Sequence, residues 1–309
     1  MTGRLLFQIL LFPGLLFTAG LGLVVGWVDR KVSARFQFRA GPPFFQVFND
    51  IAKLLGKETL LVRDGVRWLF IAAPLAALGT LALAATIVGA ALFLGEGVGG
   101  DLIVVMYLLM LYALLVALGG SAAGNVFASL GAGREIKLLL ADELAFLLVC
   151  LVPVIQSGYR LRLTDILAYQ SEQGATIGSF SGALAFIVGL LAVQAKMALP
   201  PFHIAEAETE LAGGPFIEYS GPLLAFWKVS QVMMFAVFPF LLILLFWGGV
   251  PRSAGEVIGL ALKYLLVVVL LVIIKNTNPR VRLDTALGFF WKWAAPAAFV
   301  AVVLAVLGV

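Results

Sequence analysis

The chain has 309 residues, of which 62% are hydrophobic and only 12% charged, with a formal net charge of +4. That balance excludes a soluble globular domain, and runs of about twenty apolar residues recur, each long enough to span a hydrocarbon core of roughly 30 Å. The basic residues sit in particular loops, so the charge reads as a topology signal and not as a sign of nucleic acid. Cys150 is the only cysteine and His203 the only histidine, too few for a disulfide or a metal ligand set of their own. No cleavable signal peptide is expected, because the first apolar run is long and lacks a small-residue cleavage site.

The first predicted span covers residues 5–28. Residues 29–67 follow as a polar segment with eight Lys/Arg, among them Arg30, Arg35 and Arg39. Within it, PPFFQVFNDIAKLLGKE places Phe44, Phe45, Phe48, Ile51, Leu54 and Leu55 at helical spacing, with Asp50, Lys53 and Lys57 elsewhere. This reads as an amphipathic helix lying in the interface, started by Pro42-Pro43 and punctuated by Gly56. Further spans are predicted at 68–94, 102–126, 138–155, 177–199, 221–247, 257–274 and 287–307. About eight crossings result, in an all-α polytopic membrane protein forming a single transmembrane domain.

Orientation follows from Lys/Arg in alternate loops. The loops after spans one, three, five and seven hold thirteen, against four in the N-terminus and the other loops. The first set is expected to face the cytoplasm, with both termini outside. No internal repeat is evident, nor a pair of Gly/Pro-interrupted spans of the kind that marks a transporter midplane site.

The loop at 200–222, PPFHIAEAETELAGGPFIEYSGP, carries four glutamates and no Lys or Arg. It falls on the cytoplasmic side against the charge rule, so something other than topology put the acid there. If AEAETEL is helical, Glu206 and Glu210 share one face and Glu208 turns away. Carboxylates that close tend to share a proton. The alternative is a solvated acidic loop. His203 is either a satisfied loop residue or a proton shuttle at the mouth of the cluster, imidazole being the side chain that titrates near neutrality.

In SLGAGREIKLLLADEL, Arg134 and Glu135 precede Asp142 and Glu143 by two turns. Either the fourth span starts late and both carboxylates sit among headgroups, or they are buried proton relays, Glu143 the deeper. Lys196 is expected to snorkel from the end of span five, while Lys228 and Lys263 are better candidates for burial. KNTNPRVRLDTALGFFWKW sets Arg280 and Arg282 near Asp284. Cationic segments around an acidic one suggest an assembly surface, or a polar channel leading from it into the membrane.

These stretches, in this order, resemble one family. PPFHIAEAETELAGGPFIEYSG is similar to the PFD-x-x-EAE-x-EL-x-x-G-x-x-x-EYSG loop of the quinone-site membrane subunit of respiratory complex I and its homologues in membrane-bound NiFe-hydrogenases. RAGPPFFQVFNDIAKLLGKE and NPRVRLDTALGFFWKW resemble that family's first-loop and terminal motifs, so the likeness runs from Asp29 to Trp293. The short passage from Arg39 to Gln46, with GAGREIKLLLADEL, is more like the energy-converting, ferredoxin-linked hydrogenase branch. His203 departs from the family, which commonly has Asp there. The resemblance implies a subunit with no redox centre of its own. It would anchor peripheral iron–sulfur and hydrogenase-like large subunits, whose clusters and NiFe centre do the electron chemistry, beside antiporter-like membrane subunits. Carried over, Glu206, Glu208, Glu210 and Glu218 form the acidic loop and Glu143 the intramembrane carboxylate. Arg35, Arg39, Gln46 and Asp50 belong to the docking segment, and Arg280, Arg282 and Asp284 to the terminal motif. Rival readings are a quinone-reducing subunit, a stand-alone ion or solute transporter, and a passive scaffold.

Overall fold

The computed structural model describes residues 2–251 and 253–309, apart from the side chains of Thr2, Glu208 and Thr209. Thirteen α-helices lie in that range: α1 Thr2–Leu10, α2 Leu15–Phe36, α3 Gln46–Leu55, α4 Arg67–Gly89, α5 Leu102–Ala122, α6 Val126–Gln156, α7 Leu163–Gln173, α8 Phe180–Lys196, α9 Glu208–Leu211, α10 Gly221–Phe246, α11 Ala254–Thr277, α12 Leu283–Phe289 and α13 Ala295–Val306. No strand occurs among the described residues. Seven helical stretches are long and apolar enough to cross a membrane. The 17-residue apolar α8 is shorter than these and packs against α6 and α13.

Helix α10 is the axis. Its most apolar stretch is 83% buried, against 28% for α11, so α10 is a core helix and α11 lies at the edge. Helices α2 and α4 flank α10, α5 packs on α4 and α6, and α13 closes against α6 and α8. The α2–α10 approach is close: a Cβ on Gly22 would come within 2.2 Å of the Val232 carbonyl oxygen. The first span is broken at Pro13 between α1 and α2, and Phe12, Phe17, Phe93 and Phe240 form an aromatic cluster beside the break. Tertiary packing carries the turn, since proline has no N–H to continue the helical ladder.

Two elements differ from the sequence expectation. Helix α6 starts at Val126, capped by the Asn125 side chain, which accepts from the Phe127 amide. Its 31 residues run about 46 Å at 1.5 Å per residue. A start at 138 is therefore too late, and Asp142 and Glu143 sit in the middle of the helix. Helix α7 occupies what reads as a plain loop. Its buried Gln170 donates to the Leu244 and Leu245 carbonyls and accepts from the Gly248 amide, closing the C-terminal end of α10.

One end of the bundle gathers α3, α9 and the turns at 57–66, 123–125, 197–220 and 278–282. Hydrogen bonds tie them, from the Val66 amide to the Ala122 carbonyl, the Val281 amide to the Pro201 carbonyl and the Leu60 amide to the Ser220 hydroxyl. The first-loop helix α3 turns Val47 and Ile51 inward and leaves Phe44, Phe45 and Phe48 exposed, the arrangement of an interfacial helix. The opposite end holds α1, α7 and both termini of the described chain, with the Ser181 amide bonded to the Val309 carbonyl.

Candidate ion path and docking face

The acidic loop is not a solvated strap. Ala205, Ala207, Leu211, Phe216 and Tyr219 are all buried. Tyr219 stacks on Phe70 at 4.0 Å and donates to its carbonyl. Gly214 makes the fold-back possible: its φ is +58, and a Cβ there would lie 1.9 Å from the Ala205 carbonyl oxygen. Only Glu208–Leu211 is helical, so Glu206 and Glu210 do not share a face. Glu206 turns inward and accepts from the Gln231 amide at 2.8 Å, while Gln231 in turn accepts from Lys228 at 2.9 Å. Glu210 turns outward between two arginines of other stretches, Arg134 at 2.6 Å and Arg280. The hydrogen bond from Arg134, with the nearby charges of Arg280 and Arg282, holds the Glu210 carboxyl below the usual glutamate range. Glu218 accepts from Asn125 at 2.6 Å, binding the loop to the start of α6. The side chain of Glu208 lies outside the described residues.

Deeper in the bundle the structure reverses two expectations. Lys196 does not snorkel. Its Nζ lies 2.6 Å from Glu143 and 3.5 Å from Asp142, with 5% of the side chain exposed, and it sits 4.7 Å from the Phe146 ring centre. The reason is length. Helix α8 ends short of the surface, and the segment after it folds back over its tip, burying Met197, Phe202, Ile204 and Ala205. Nor is Glu143 the deeper carboxylate: the Asp142 side chain is 2% exposed and that of Glu143 22%. Buried carboxylates at this depth need a cation, and Lys196 supplies one.

Glu135 joins this cluster, a role that its place in the sequence had not suggested. It stands two turns before Asp142 on α6, and the i, i+7 spacing that puts both on one face was the available signal. Glu135, Asp142 and Lys196 line a cavity of about 10 Å³. Glu135 is within electrostatic reach of Glu206 on one side and of Asp142 and Lys196 on the other. Glu206 of the loop and Asp142 of α6 are thus each within electrostatic reach of Glu135.

Glu206 also borders a cavity of about 470 Å³ between α2, α3, α10 and residues 197–206. Asp29, Asp50, His203, Glu206, Lys228 and Lys275 are on its wall. Asp29 pairs with Lys275 at 2.7 Å across α2 and α11. Asp50 accepts from Arg30 at 2.8 Å and from Gln46 at 2.9 Å. The Arg30 hydrogen bond outweighs burial and holds Asp50 below the usual aspartate range. The His203 ring bonds the Ala198 carbonyl through Nδ1 and lies on the cavity wall. Lys263, expected to be buried, is only partly so and reaches the Trp247 carbonyl at the opposite end. Arg35, Arg39, Arg282 and Asp284 are exposed around the rim of the basic end.

An all-helical polytopic bundle, with charged residues converging on one end and buried carboxylates inside, defines a membrane-embedded subunit built to work with other chains. Residues 8–306 match the family described as NADH dehydrogenase, and the chain belongs to that family. It is 35% identical to an NADH-quinone oxidoreductase subunit from Thermomicrobium roseum over 90% of this chain and 89% of the relative. It is 33% identical to the counterpart from Syntrophotalea carbinolica (91% and 92% covered) and 32% identical to NADH-quinone oxidoreductase subunit 8 of Thermus thermophilus (88% and 78% covered). Among solved structures, a chain in the membrane-bound sulfane sulfur reductase, an archaeal respiratory membrane complex, superposes with a TM-score of 0.88 at 25% identity, covering 98% of this chain and 99% of that one.

Proposed function

We propose that the chain is the membrane anchor and ion-path subunit of a ferredoxin-linked, complex-I-like oxidoreductase of the energy-converting hydrogenase type. The observation that carries the reading is the electrostatically linked set Glu206, Glu135, Asp142–Lys196–Glu143, which begins in a loop clamped by Arg134 and Arg280. Intramembrane ionisable groups are costly and are retained where they serve a path. The exposed Arg35, Arg39, Arg282 and Asp284 offer a charged rim for peripheral iron–sulfur and hydrogenase-like large subunits. Antiporter-like subunits would take the lateral faces. The chain binds no cofactor of its own; iron–sulfur clusters and a NiFe centre belong to those partners. Electron transfer beside the loop changes local charge, shifts protonation of Glu206 and the buried carboxylates, and biases ion movement in the neighbours. The complex sits in the cytoplasmic membrane with the basic end inside and both termini outside.

A second reading is a quinone-site subunit, favoured by the 470 Å³ cavity and by the names of the curated relatives. Its wall sets Val47, Ile51, Leu54, Leu199, Val232 and Phe235 beside the charged groups, a mixture that fits a small-molecule pocket as well as a wet vestibule, so the partners and the acceptor decide between the readings. Gentle solubilisation, identification of the co-purifying chains and an assay with reduced ferredoxin separate the two. A nickel-containing large subunit with hydrogen evolution is the expected result. Quinone-dependent turnover supports the second reading; iron–sulfur partners with neither move the acceptor to a sulfur compound or a nicotinamide. A chain that purifies alone overturns the assembly reading altogether.

A further inference from the structure

Which ion uses the path follows from what already occupies its waist. We propose that Lys196 is the ion-selecting residue: its ammonium is a tethered cation fixed between Asp142 and Glu143, so the path passes protons and turns away sodium. The inference rests on the ion-path function proposed above.

Two adjacent carboxylates in the middle of one helix of membrane-spanning length are oxygen donors of the kind a sodium ion would take. Here that place is filled from within the chain. The Lys196 ammonium lies 2.6 Å from Glu143 and 3.5 Å from Asp142, and the Phe146 ring lies beside it. The remaining space is a cavity of about 10 Å³, which is at the lower limit for a single water molecule. A hard cation needs several oxygen ligands around it, and neither volume nor free oxygens suffice. A proton needs only an acceptor, and one is present. Oδ1 of Asp142 is buried and has no hydrogen-bond partner among the described residues. The other ionisable groups facing the site are Glu135, on the side towards Glu206, and the Cys150 thiol one turn beyond Phe146.

A proton delivered from the Glu135 side binds Asp142, whose neutral carboxyl releases the ammonium to Glu143 alone. When the proton leaves on the far side, the ammonium bridges both carboxylates again. Lys196 keeps its own protons throughout, so the charge at the waist rises by one and falls by one per proton passed.

The test is a sodium titration of thermal unfolding on the intact purified complex, with choline chloride holding ionic strength constant. A ligand that binds the folded state raises the midpoint saturably. The wild-type midpoint is expected to be the same in both salts, and that of Lys196→Ala to rise saturably with sodium by a few degrees. A saturable rise in the wild type that Asp142→Asn abolishes overturns the proposal, as does a folded Lys196→Ala complex indifferent to sodium. If Lys196→Ala does not assemble, Lys196→Ala combined with Glu143→Gln removes the ion pair together, which buried pairs tolerate better than the loss of one partner, and keeps an amide oxygen beside the emptied space. It leaves Asp142 facing the vacated place and must show the sodium-dependent rise; indifference overturns the proposal. Absence of proton uptake by the turning-over wild type refutes the ion-path reading, while the stability comparison still reads the Lys196 position.

Discussion

Glu210 and its two arginines set the behaviour of the loop at the scale of single residues. Arg134 and Arg280 come from stretches 76 and 70 positions away, yet both close on one carboxylate. They hold its folded pKa below the ordinary 4.5. Its stabilising contribution is therefore complete above the unfolded value and is lost as pH falls through the lowered folded value. Asp50, held down by Arg30 from 3.8, behaves in the same way. Limited proteolysis of the 206–212 segment should be constant from neutral pH down to about 5 and accelerate below about 4. Arg134→Gln, which removes the largest cause of the lowered value, should lose much of that acid sensitivity and be cut faster at neutral pH. A cleavage rate that rises smoothly through neutrality would contradict the assignment. At this scale the sequence showed which residues carry charge but not which ones meet. Four glutamates without a local cation looked uncompensated because the cations arrive from α6 and from the turn before α12. Lys196 departs from the snorkelling rule for a related reason: snorkelling assumes that the helix end reaches water, and here the next residues fold back over it.

Among the elements, the fold-back after α8 does most to position the site. It depends on Gly214, whose backbone conformation an L side chain reaches only at a cost of roughly 1–2 kcal/mol. The Ala205 carbonyl occupies the place of a Cβ. Gly214→Ala should therefore destabilise by about 2 kcal/mol or more, displace residues 205–206 and break the Glu206–Gln231 hydrogen bond. The unfolding midpoint and ion pumping should fall together; a variant with normal stability and normal pumping would show that the loop tolerates another path. The spans were legible because apolar runs of bilayer length have one dominant reading, and α3 because its apolar residues recur at helical spacing. Two features were hidden. The start of α6 is polar enough to read as a loop, since GAGREIK lies at the basic end. Helix α7 has low overall hydrophobicity, and its role depends on Gln170 meeting the end of α10, a contact between residues 74 positions apart.

Across the whole molecule, the two ends divide the labour. The basic end collects the interfacial helix, the clamped acidic loop and the terminal arginines around a charged cavity, while the opposite end is closed by α7 and the termini. In the function proposed above, Glu206, Glu135 and Asp142 carry charge between them through the bundle, and Glu206 is the member on the cavity wall. Family and architecture were legible from three motifs in order; the approach of these carboxylates was not, because Glu206, Glu135 and Asp142 come from two separate elements. The most direct measurement is ion translocation per electron transferred in the intact complex carrying Glu206→Gln, reconstituted in vesicles beside the wild type. An assembled complex whose pumping falls by about tenfold or more, the loss expected when a positioned proton carrier is removed, is the predicted result. An assembled variant that pumps at the wild-type rate and ratio, with electron transfer intact, would contradict the account.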